Sequence, residues 1–210
     1  AFFKILGVYI LLLSLWLMWH NGMGLLTAVR YAAFNVISIV TTTGYASTDY
    51  LQWGAWSAAL FLLFSFTGGC TGSTTGSIKI FRWQVFFAFL KKSLVGATEP
   101  NRVLPLKLEN YTVEGNLVTS VFIFFSAYVV CLATFTLVLS FSGLDFATAF
   151  SAAAASMTNS GPGVTAATGP VGNYAFLSPF AKQVCCVAML VGRLDVLTVL
   201  VIFTRNFWKS

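Results

Sequence analysis

The sequence predicts an all-α integral membrane protein composed of two consecutive repeats. Of its 210 residues, 58% are hydrophobic and only 9% are charged, whereas an average soluble domain has about 25% charged residues. Several uncharged stretches approach or exceed the ~20 apolar residues that cross a bilayer. Turns at Gly44 and Gly161, 117 residues apart, follow two shorter apolar segments in matching positions. Each repeat therefore combines a span, a short re-entrant helix, a turn and a second span.

The first repeat begins with an uncharged apolar segment, residues 5–19, which residues 1–4 extend to the length of a span. A signal peptide is the alternative, but the segment lacks a small-residue cleavage site and a strongly basic start. Residues 27–40 form a second apolar segment, with Thr27 as the expected helix cap. At 1.5 Å per residue this segment covers roughly 21 Å, which is too short to cross a membrane.

A third apolar run is interrupted by a stretch that we call the glycine loop, residues 68–77. Residues 54–67 precede it and residues 78–90 follow it, so together they predict one span that is broken in the middle. Each glycine costs a helix about 1 kcal/mol relative to alanine, and here glycines cluster with serine and threonine. A glycine-rich packing face on a continuous helix is the alternative, but the clustering favours an unwound loop.

The second repeat follows the same plan. Residues 115–144 carry no charge and predict a span. Asp145 is expected to cap a short helix over residues 146–158, which ends at the sequence N-S-G-P-G. A last span is predicted over residues 174–203. Both repeats begin and end on the same side of the membrane, which makes the repetition parallel.

The two repeats thus cover residues 1–95 and 115–210, and residues 96–114 form a polar connector between them. Basic residues gather from the broken span into this connector, as is typical of cytoplasmic flanks. The net charge of +6 therefore indicates membrane topology and not nucleic-acid binding. The basic cluster comprises Lys79, Arg82, Lys91, Lys92, Arg102 and Lys107, and Arg205 and Lys209 add positive charge at the C-terminal end.

Residue types that carry catalysis or bind metals are scarce. His20 is the single histidine and the six carboxylates are scattered, which argues against a Ser–His triad or a His-based metal site. No CxxC motif occurs, so the cysteines are expected to be small buried residues; they are Cys70, Cys131, Cys185 and Cys186. We therefore expect neither an enzyme nor a bound cofactor.

The two turns suit a monovalent cation. A re-entrant helix directs C-terminal carbonyls, which carry about half a negative charge, toward the bilayer centre. Glycine accepts positive φ, so successive carbonyls can face one way and replace the hydration shell of an ion. Neither turn contains a carboxylate, which argues against Mg²⁺ or Ca²⁺. The candidate ion-binding residues are Thr42, Thr43, Gly44 and Tyr45 in the first turn and Asn159, Ser160, Gly161 and Pro162 in the second.

If the turns act together, Gly44 and Gly161 should lie at equal depth around one axis. Asp49, just outside the first turn, either concentrates cations or caps its own loop. Two glycine-rich loops that merely reverse the chain are the alternative, which the shortness of both preceding helices disfavours.

Four stretches together resemble the C-terminal half of the TrkH/KtrB potassium transporters, whose superfamily includes the plant HKT proteins. They read TTTGYASTDY, GGCTGSTTGSIK, SMTNSGPG and GRLDVLTVLVIFTRNFWK. The resemblance implies four helix–pore-helix–helix repeats of a potassium-channel-like pore, of which this chain holds the third and fourth. It also implies K⁺ uptake across the bacterial cytoplasmic (inner) membrane by a multi-pass homodimer. Cytosolic nucleotide-binding RCK-type subunits, such as TrkA or KtrA, would regulate it through the basic connector.

Two features suit a gate. The resemblance implies that the glycine loop closes the pore, through Gly68, Gly69, Gly72 and Gly76, and that Arg193 forms a barrier below the turns. Arg193 is predicted inside the last span, where a charge needs a partner or water. Since two residues on a helix differ by about 200°, Arg193 should face the pore and donate to loop carbonyls, while Asp195 faces another helix. Lys79 is either a further gate contact or a cytoplasmic flank.

Two alternative functions are compatible with a membrane protein of this kind. A two-pore-domain potassium channel subunit would carry TxGYG-type filters in both halves and no arginine within the membrane, which disagrees with the residues. A non-conducting structural membrane subunit would not need two filter-like turns. Because a closed pathway needs four filter segments and this chain has two, we expect a longer natural chain or pairing with another copy.

Overall fold

The computed structural model describes residues 2–70, 72–99, 107–108, 111–112, 115–202, 205 and 207–208. Apart from strands β1 (Lys107–Leu108) and β2 (Tyr111–Thr112), which pair antiparallel, the described fold is all-α, as predicted. In chain order the helices are α1 (Phe2–Asn21), α2 (Leu25–Val40), α3 (Ala55–Phe66), α4 (Ile80–Thr98), α5 (Gly115–Phe141), α6 (Phe146–Thr158), α7 (Pro179–Leu194) and α8 (Val196–Ile202).

Two of the described helices, α1 and α5, are long and apolar enough to cross a membrane. Helices α7 and α8 make a third such segment if the bent pair counts as one span. Helices α2 and α6 have 16 and 13 residues, or about 24 and 20 Å, less than the ~30 Å of a hydrocarbon core. They therefore fit the short re-entrant helices predicted from the sequence.

In each repeat the short helix lies inside a packed group of helices. Helix α2 packs with α1 and α3 around an apolar core. Helix α6 is enclosed by α5 and α7, and its alanine-rich surface lets these helices approach closely. Its buried residues are Ala149, Ser151, Ala152, Ala153, Ala154, Ala155, Ser156, Met157 and Thr158. The ends of α2 and α6, where the turns begin, are thus held by their neighbours.

Helix α4 connects the two repeats. Val85 of α4 packs against Val118 and Val121 of α5, and the Trp83 ring meets the Phe125 ring edge-on with centroids 5.0 Å apart. Helix α4 extends to Thr98, several residues beyond the predicted end of the broken span. Most of the predicted connector, with Arg102, lies outside the described residues, as does Lys209.

The predicted caps have different outcomes. Asp145 caps α6 as expected, since its carboxylate accepts a hydrogen bond from the Ala147 amide. The prediction for Thr27 is wrong: α2 begins at Leu25 with Gly24 at the cap position and no side-chain cap. An extended glycine can start a helix without a side-chain acceptor, so the helix begins ahead of the residue best suited to cap it.

The last span is not the continuous helix that was predicted. A 3-10 turn (Tyr174–Phe176) precedes α7, and α7 and α8 are bent by 108° around Asp195. Asp195 has φ 75° and ψ 122°, which no helical residue adopts. The helix therefore breaks at Asp195, within the segment that was predicted as one span.

Candidate functional site

The first turn, residues 42–45, folds back over the end of α2. The amides of Thr43 and Gly44 both donate to the Ser38 carbonyl, at 2.9 and 3.4 Å. The Thr43 hydroxyl donates to the same carbonyl at 3.1 Å and to the Ser38 hydroxyl at 3.2 Å. Behind the turn, the buried Asn35 amide donates to the Ser47 hydroxyl at 2.9 Å, while the Ser47 amide donates to the Asn35 side-chain oxygen at 3.2 Å. The helix that precedes this turn therefore also holds it.

The second turn, residues 159–163, begins with Asn159 in the left-handed region, at φ 56°. Its amide donates to the Ser156 carbonyl at 3.2 Å, and its side chain donates to the Met189 carbonyl of α7 at 3.2 Å. The hydroxyls of Thr158 and Ser160 are 3.0 Å apart and buried. The second turn is thus attached to α7 as well as to α6.

The two turns have the same backbone signature. In the first turn φ is positive at Thr42 (57°) and Gly44 (79°), and in the second it is positive at Asn159 (56°) and Gly161 (87°). Each pair of equivalent residues is 117 positions apart. A β-branched residue such as Thr42 rarely adopts positive φ, and such strain is concentrated at functional sites. The shared signature shows that the repeat extends to backbone conformation.

The structure also brings the two turns into contact. A β-carbon at Gly44 would lie 2.6 Å from the Ser160 carbonyl oxygen and 3.4 Å from the Pro162 ring, and one at Gly161 would lie 3.9 Å from the Gly44 α-carbon. Gly44 and Gly161 therefore lie side by side, although no charge or motif links the turns in sequence. The C-terminal ends of α2 and α6, each with a partial negative charge, converge at this point.

Two further side chains near the first turn, those of Tyr45 and Asp49, do not hold the turn itself. Tyr45 is 75% exposed, so its ring does not hold the turn in place. Asp49 caps its own loop: its carboxylate accepts hydrogen bonds from the Leu51 amide at 3.1 Å and the Gln52 side chain at 3.4 Å. These contacts support the capping alternative for Asp49.

The described residues of the glycine loop, which exclude Thr71, are unwound, and the continuous-helix alternative is wrong. Thr67 and Ile78 form a bridge, and the Gly68 amide donates to the Ile78 carbonyl at 2.9 Å. The Gly69 amide donates to the Thr75 hydroxyl at 3.1 Å, a bond no helix makes. At the far end, a β-carbon on Gly76 would lie 2.7 Å from the Thr158 carbonyl oxygen. The loop therefore abuts the end of α6, whereas Gly72 is exposed at φ 87°.

Arg193 lies in the last turn of α7 and is exposed. Among the described residues its guanidinium forms no hydrogen bond or ion pair, so the predicted bonds to the loop carbonyls are not formed. The expectation for Asp195 is confirmed, because its carboxylate pairs with Arg82 of α4. Next to Arg193, a β-carbon on Gly192 would overlap the Met157 carbonyl. This glycine lets α7 approach the end of α6 closely.

Two tyrosines at this site were not anticipated from the sequence. The Tyr50 hydroxyl donates to the Gly163 carbonyl and the Tyr174 hydroxyl donates to the Gly161 carbonyl, both at 3.0 Å. Burial raises the pKa of both hydroxyls, so both remain protonated donors. The sequence contains no pattern that identifies the distant acceptor of a tyrosine in a loop. Asn35, which also holds a turn and was also not anticipated, does leave a signal, since it is a polar amide within an apolar helix.

Comparison with known proteins places this chain in a family. The family model described as "TrkH: Cation transport protein" matches residues 21–210. The potassium uptake protein TrkI of Halomonas elongata is 42% identical over 206 residues, covering 98% of this chain and 42% of that protein. The potassium uptake protein TrkG of Escherichia coli is 33% identical over 210 residues, covering 100% of this chain and 43% of that protein.

A solved structure has the same fold as this chain and also comes from a potassium transporter. The crystal structure of the potassium transporter TrkH from Vibrio parahaemolyticus superposes with a TM-score of 0.91 at 33% identity, covering 99% of this chain and 44% of that one. The chain thus spans about two fifths of the length of the relatives it matches. From its sequence and its fold, it belongs to the TrkH family of cation transport proteins.

Proposed function

We propose that this chain forms part of a potassium-translocating subunit of a Trk-type uptake system in the bacterial cytoplasmic membrane. The observation that carries the proposal is the contact between two turns of identical φ pattern, each at the end of a short, packed helix. The relatives named as potassium uptake proteins support the choice of K⁺. Membership of the TrkH family favours this function over a two-pore-domain channel or a structural subunit.

The ion-binding residues in this proposal are those of the two turns. Backbone carbonyls and hydroxyls supply the ligands, and the ends of α2 and α6 add negative potential without a fixed charge. Rings of such carbonyl oxygens can replace the hydration shell of a monovalent cation. The proposed ligands are Thr42, Thr43, Gly44 and Tyr45 with Asn159, Ser160, Gly161 and Pro162.

The proposed gate consists of the glycine loop and Arg193. Gly76 abuts the end of α6, so the loop is close enough to the second turn to obstruct an ion that leaves it. Arg193 follows Gly192, which touches the same end of α6, and among the described residues no anion neutralises its charge. Gly68 and Gly69 are buried and Gly72 is exposed, so the middle of the loop has room to move.

Two turns supply half of a four-membered ring. The remaining segments would come from further chain or from another copy, and the subunit would form homodimers. A cytosolic RCK-type, nucleotide-binding ring resembling TrkA or KtrA would bind the basic end of α4, where Lys91 and Lys92 are exposed. No resident cofactor is proposed, since K⁺ itself is the transported substrate.

Potassium uptake tests the proposal. The natural gene that encodes this chain would be expressed in a bacterium that lacks its own potassium uptake systems, and growth would be followed at low external potassium. We expect rescue by the wild type and none by a variant in which Gly44 and Gly161 are both replaced by alanine. Failure of a correctly inserted wild-type protein to restore growth, alone or with its RCK partner, would contradict the proposal.

A further inference from the structure

Two tyrosine hydroxyls hold the second turn on either side of Pro162. Tyr50 donates to the Gly163 carbonyl and Tyr174 to the Gly161 carbonyl. The proline ring between them already restricts φ. The two hydrogen bonds orient the flanking peptide groups, together with the bonds from the Gly163 amide to the Thr168 carbonyl at 2.7 Å and from the Val164 amide to the Ser151 hydroxyl at 2.8 Å.

Tyr50 acts across the repeat boundary. It follows the first turn, yet its acceptor is 113 residues further along the chain. The side chain is 1% exposed, its ring stacks on Phe61 with centroids 4.1 Å apart, and its carbonyl accepts a hydrogen bond from the Ser57 hydroxyl at 2.8 Å. Since the tyrosine is fixed at both ends, it transmits the position of the first repeat to the second turn.

Tyr174 reaches the turn from within the same repeat. Its ring packs on the apolar cluster between α5, α6 and α7, which includes Leu139, Ala149 and Cys185. Its bond to Gly161 is exposed, so water can partly replace it. Tyr50 and Tyr174 therefore hold the same turn from two separately packed groups of helices, and the buried bond of Tyr50 is the less replaceable.

The first turn lacks an equivalent. It is held through amides and hydroxyls bonded to Ser38, and among the described residues no side chain donates to the carbonyls of residues 42–45. The two turns thus differ: among the described residues no side chain holds a carbonyl of the first turn, whereas in the second turn the Gly161 carbonyl, a proposed ligand, and the adjacent Gly163 carbonyl are both held.

We propose that Tyr50 and Tyr174 are positioning residues that set the discrimination between monovalent cations at the second turn. The inference rests on the proposed function, because it requires that ions pass the turns. Discrimination depends on the number and orientation of the carbonyl dipoles around the ion. A carbonyl that accepts a tyrosine hydroxyl cannot rotate without breaking that bond, so the ring keeps one spacing for every ion that enters.

The test compares three tyrosine-to-phenylalanine variants of the natural gene product reconstituted in lipid bilayers. Tyr50→Phe and Tyr174→Phe each remove one hydroxyl from the turn. Tyr128→Phe is the matched control, since Tyr128 is buried but its hydroxyl has no partner among the described residues. The readout is the ratio of potassium to sodium permeability, which a general loss of folded protein would not change.

We expect this ratio to fall about tenfold in Tyr50→Phe and about threefold in Tyr174→Phe, and to stay unchanged in Tyr128→Phe. Equal permeability ratios in the wild type and all three variants would overturn the positioning role, and so would a wild type that does not discriminate between the two ions. Either result would leave the proposed potassium transport intact. A wild type that carries no potassium would instead contradict the proposed function. If Tyr50→Phe fails to fold, Tyr174→Phe carries the test, because the bond that it removes is exposed and its loss is expected to cost less stability.

Discussion

The Arg82 guanidinium pairs with the Asp195 carboxylate, joining α4 to the bend between α7 and α8. The same guanidinium lies 3.7 Å above the centre of the Phe124 ring, so α5 shares the contact. The second carboxylate oxygen of Asp195 is buried without a hydrogen-bond partner among the described residues. This pair therefore connects the helix that follows the glycine loop to the bend that follows Arg193.

Breaking this pair should destabilise the protein. Asp195→Asn and Arg82→Gln are each expected to lower the free energy of unfolding by about 1–3 kcal/mol, between the values for exposed and buried ion pairs. The double variant should lose less than the sum of the two, because the second change removes an already unpaired group. Thermal unfolding in detergent measures this, with Lys92→Gln on the exposed part of α4 as the control. Fully additive losses would show that the pair contributes nothing.

Gly192 is expected to tolerate no side chain. Gly192→Ala places a methyl group on the Met157 carbonyl, which must push α7 away from α6 and cost at least 1–3 kcal/mol, in the range of core overpacking. Gly96→Ala is the matched helical control, because a β-carbon there meets nothing within 4 Å and should stabilise α4 by up to about 1 kcal/mol. Opposite signs in thermal stability are the predicted result. Equal stability of the two variants would contradict the close approach.

Gly44 should be required for transport. Gly44→Ala needs a left-handed backbone, which costs an L-residue about 1–2 kcal/mol, and its methyl group would lie 2.6 Å from the Ser160 carbonyl oxygen. We expect a correctly inserted protein with at least tenfold slower potassium uptake. Gly7→Ala in α1, where a β-carbon meets nothing within 4 Å, should keep wild-type uptake. Normal uptake by Gly44→Ala would show that the turns need not stay in contact.

Removing the charge of Arg193 should raise potassium flux. At roughly 6 Å and an effective dielectric constant near 20, two unit charges repel by about 3 kcal/mol, or about a hundredfold in rate if fully felt at the barrier. Because the guanidinium forms no hydrogen bond among the described residues, electrostatic repulsion carries the expected effect. Flux into liposomes at matched protein density compares the wild type with Arg193→Ala.

Two controls separate charge from structure in that experiment. Arg193→Lys keeps the charge, so its potassium flux should stay close to that of the wild type. Arg30→Ala is the control for the loss of an exposed arginine elsewhere, in α2 before the first turn. A variant that also shortens the glycine loop should gain more flux than either change alone. Unchanged flux in folded Arg193→Ala would leave the loop as the entire gate.

The exposed end of α4 should contribute to regulation. Lys91 and Lys92 are exposed, and if the proposed RCK-type ring binds here, their replacement by glutamine is expected to weaken its binding, most strongly at low salt. Binding of the purified ring to the reconstituted transporter measures this, with Lys4→Gln in α1 as the control. Identical affinity at low salt would exclude this surface as the contact.

Local patterns were sufficient for the parts of this protein that depend on neighbouring residues. Apolar stretches predicted α1 and α5, the Asp145 cap predicted the start of α6, and clustered glycines predicted an unwound loop. The expected contact of Asp195 with another helix was confirmed, although the continuous helix assumed for that prediction ends at Asp195. In each case the signal lies within about one span of sequence, because helix formation and membrane insertion respond to local composition.

Tertiary packing decided the rest. The Tyr50–Gly163 bond and the Arg82–Asp195 pair each join residues 113 positions apart. Nothing in the residue types indicates which distant residue each one contacts. The bend at Asp195, where φ is positive and the carboxylate pairs with Arg82, was not predicted from the sequence. Sequence by itself thus determined which segments are long and apolar enough to cross a membrane and where the turns lie. Helix α2 itself holds the first turn through Ser38. What holds the second turn, through Tyr50 and α7, was decided only by the tertiary structure, because those contacts depend on how distant segments meet.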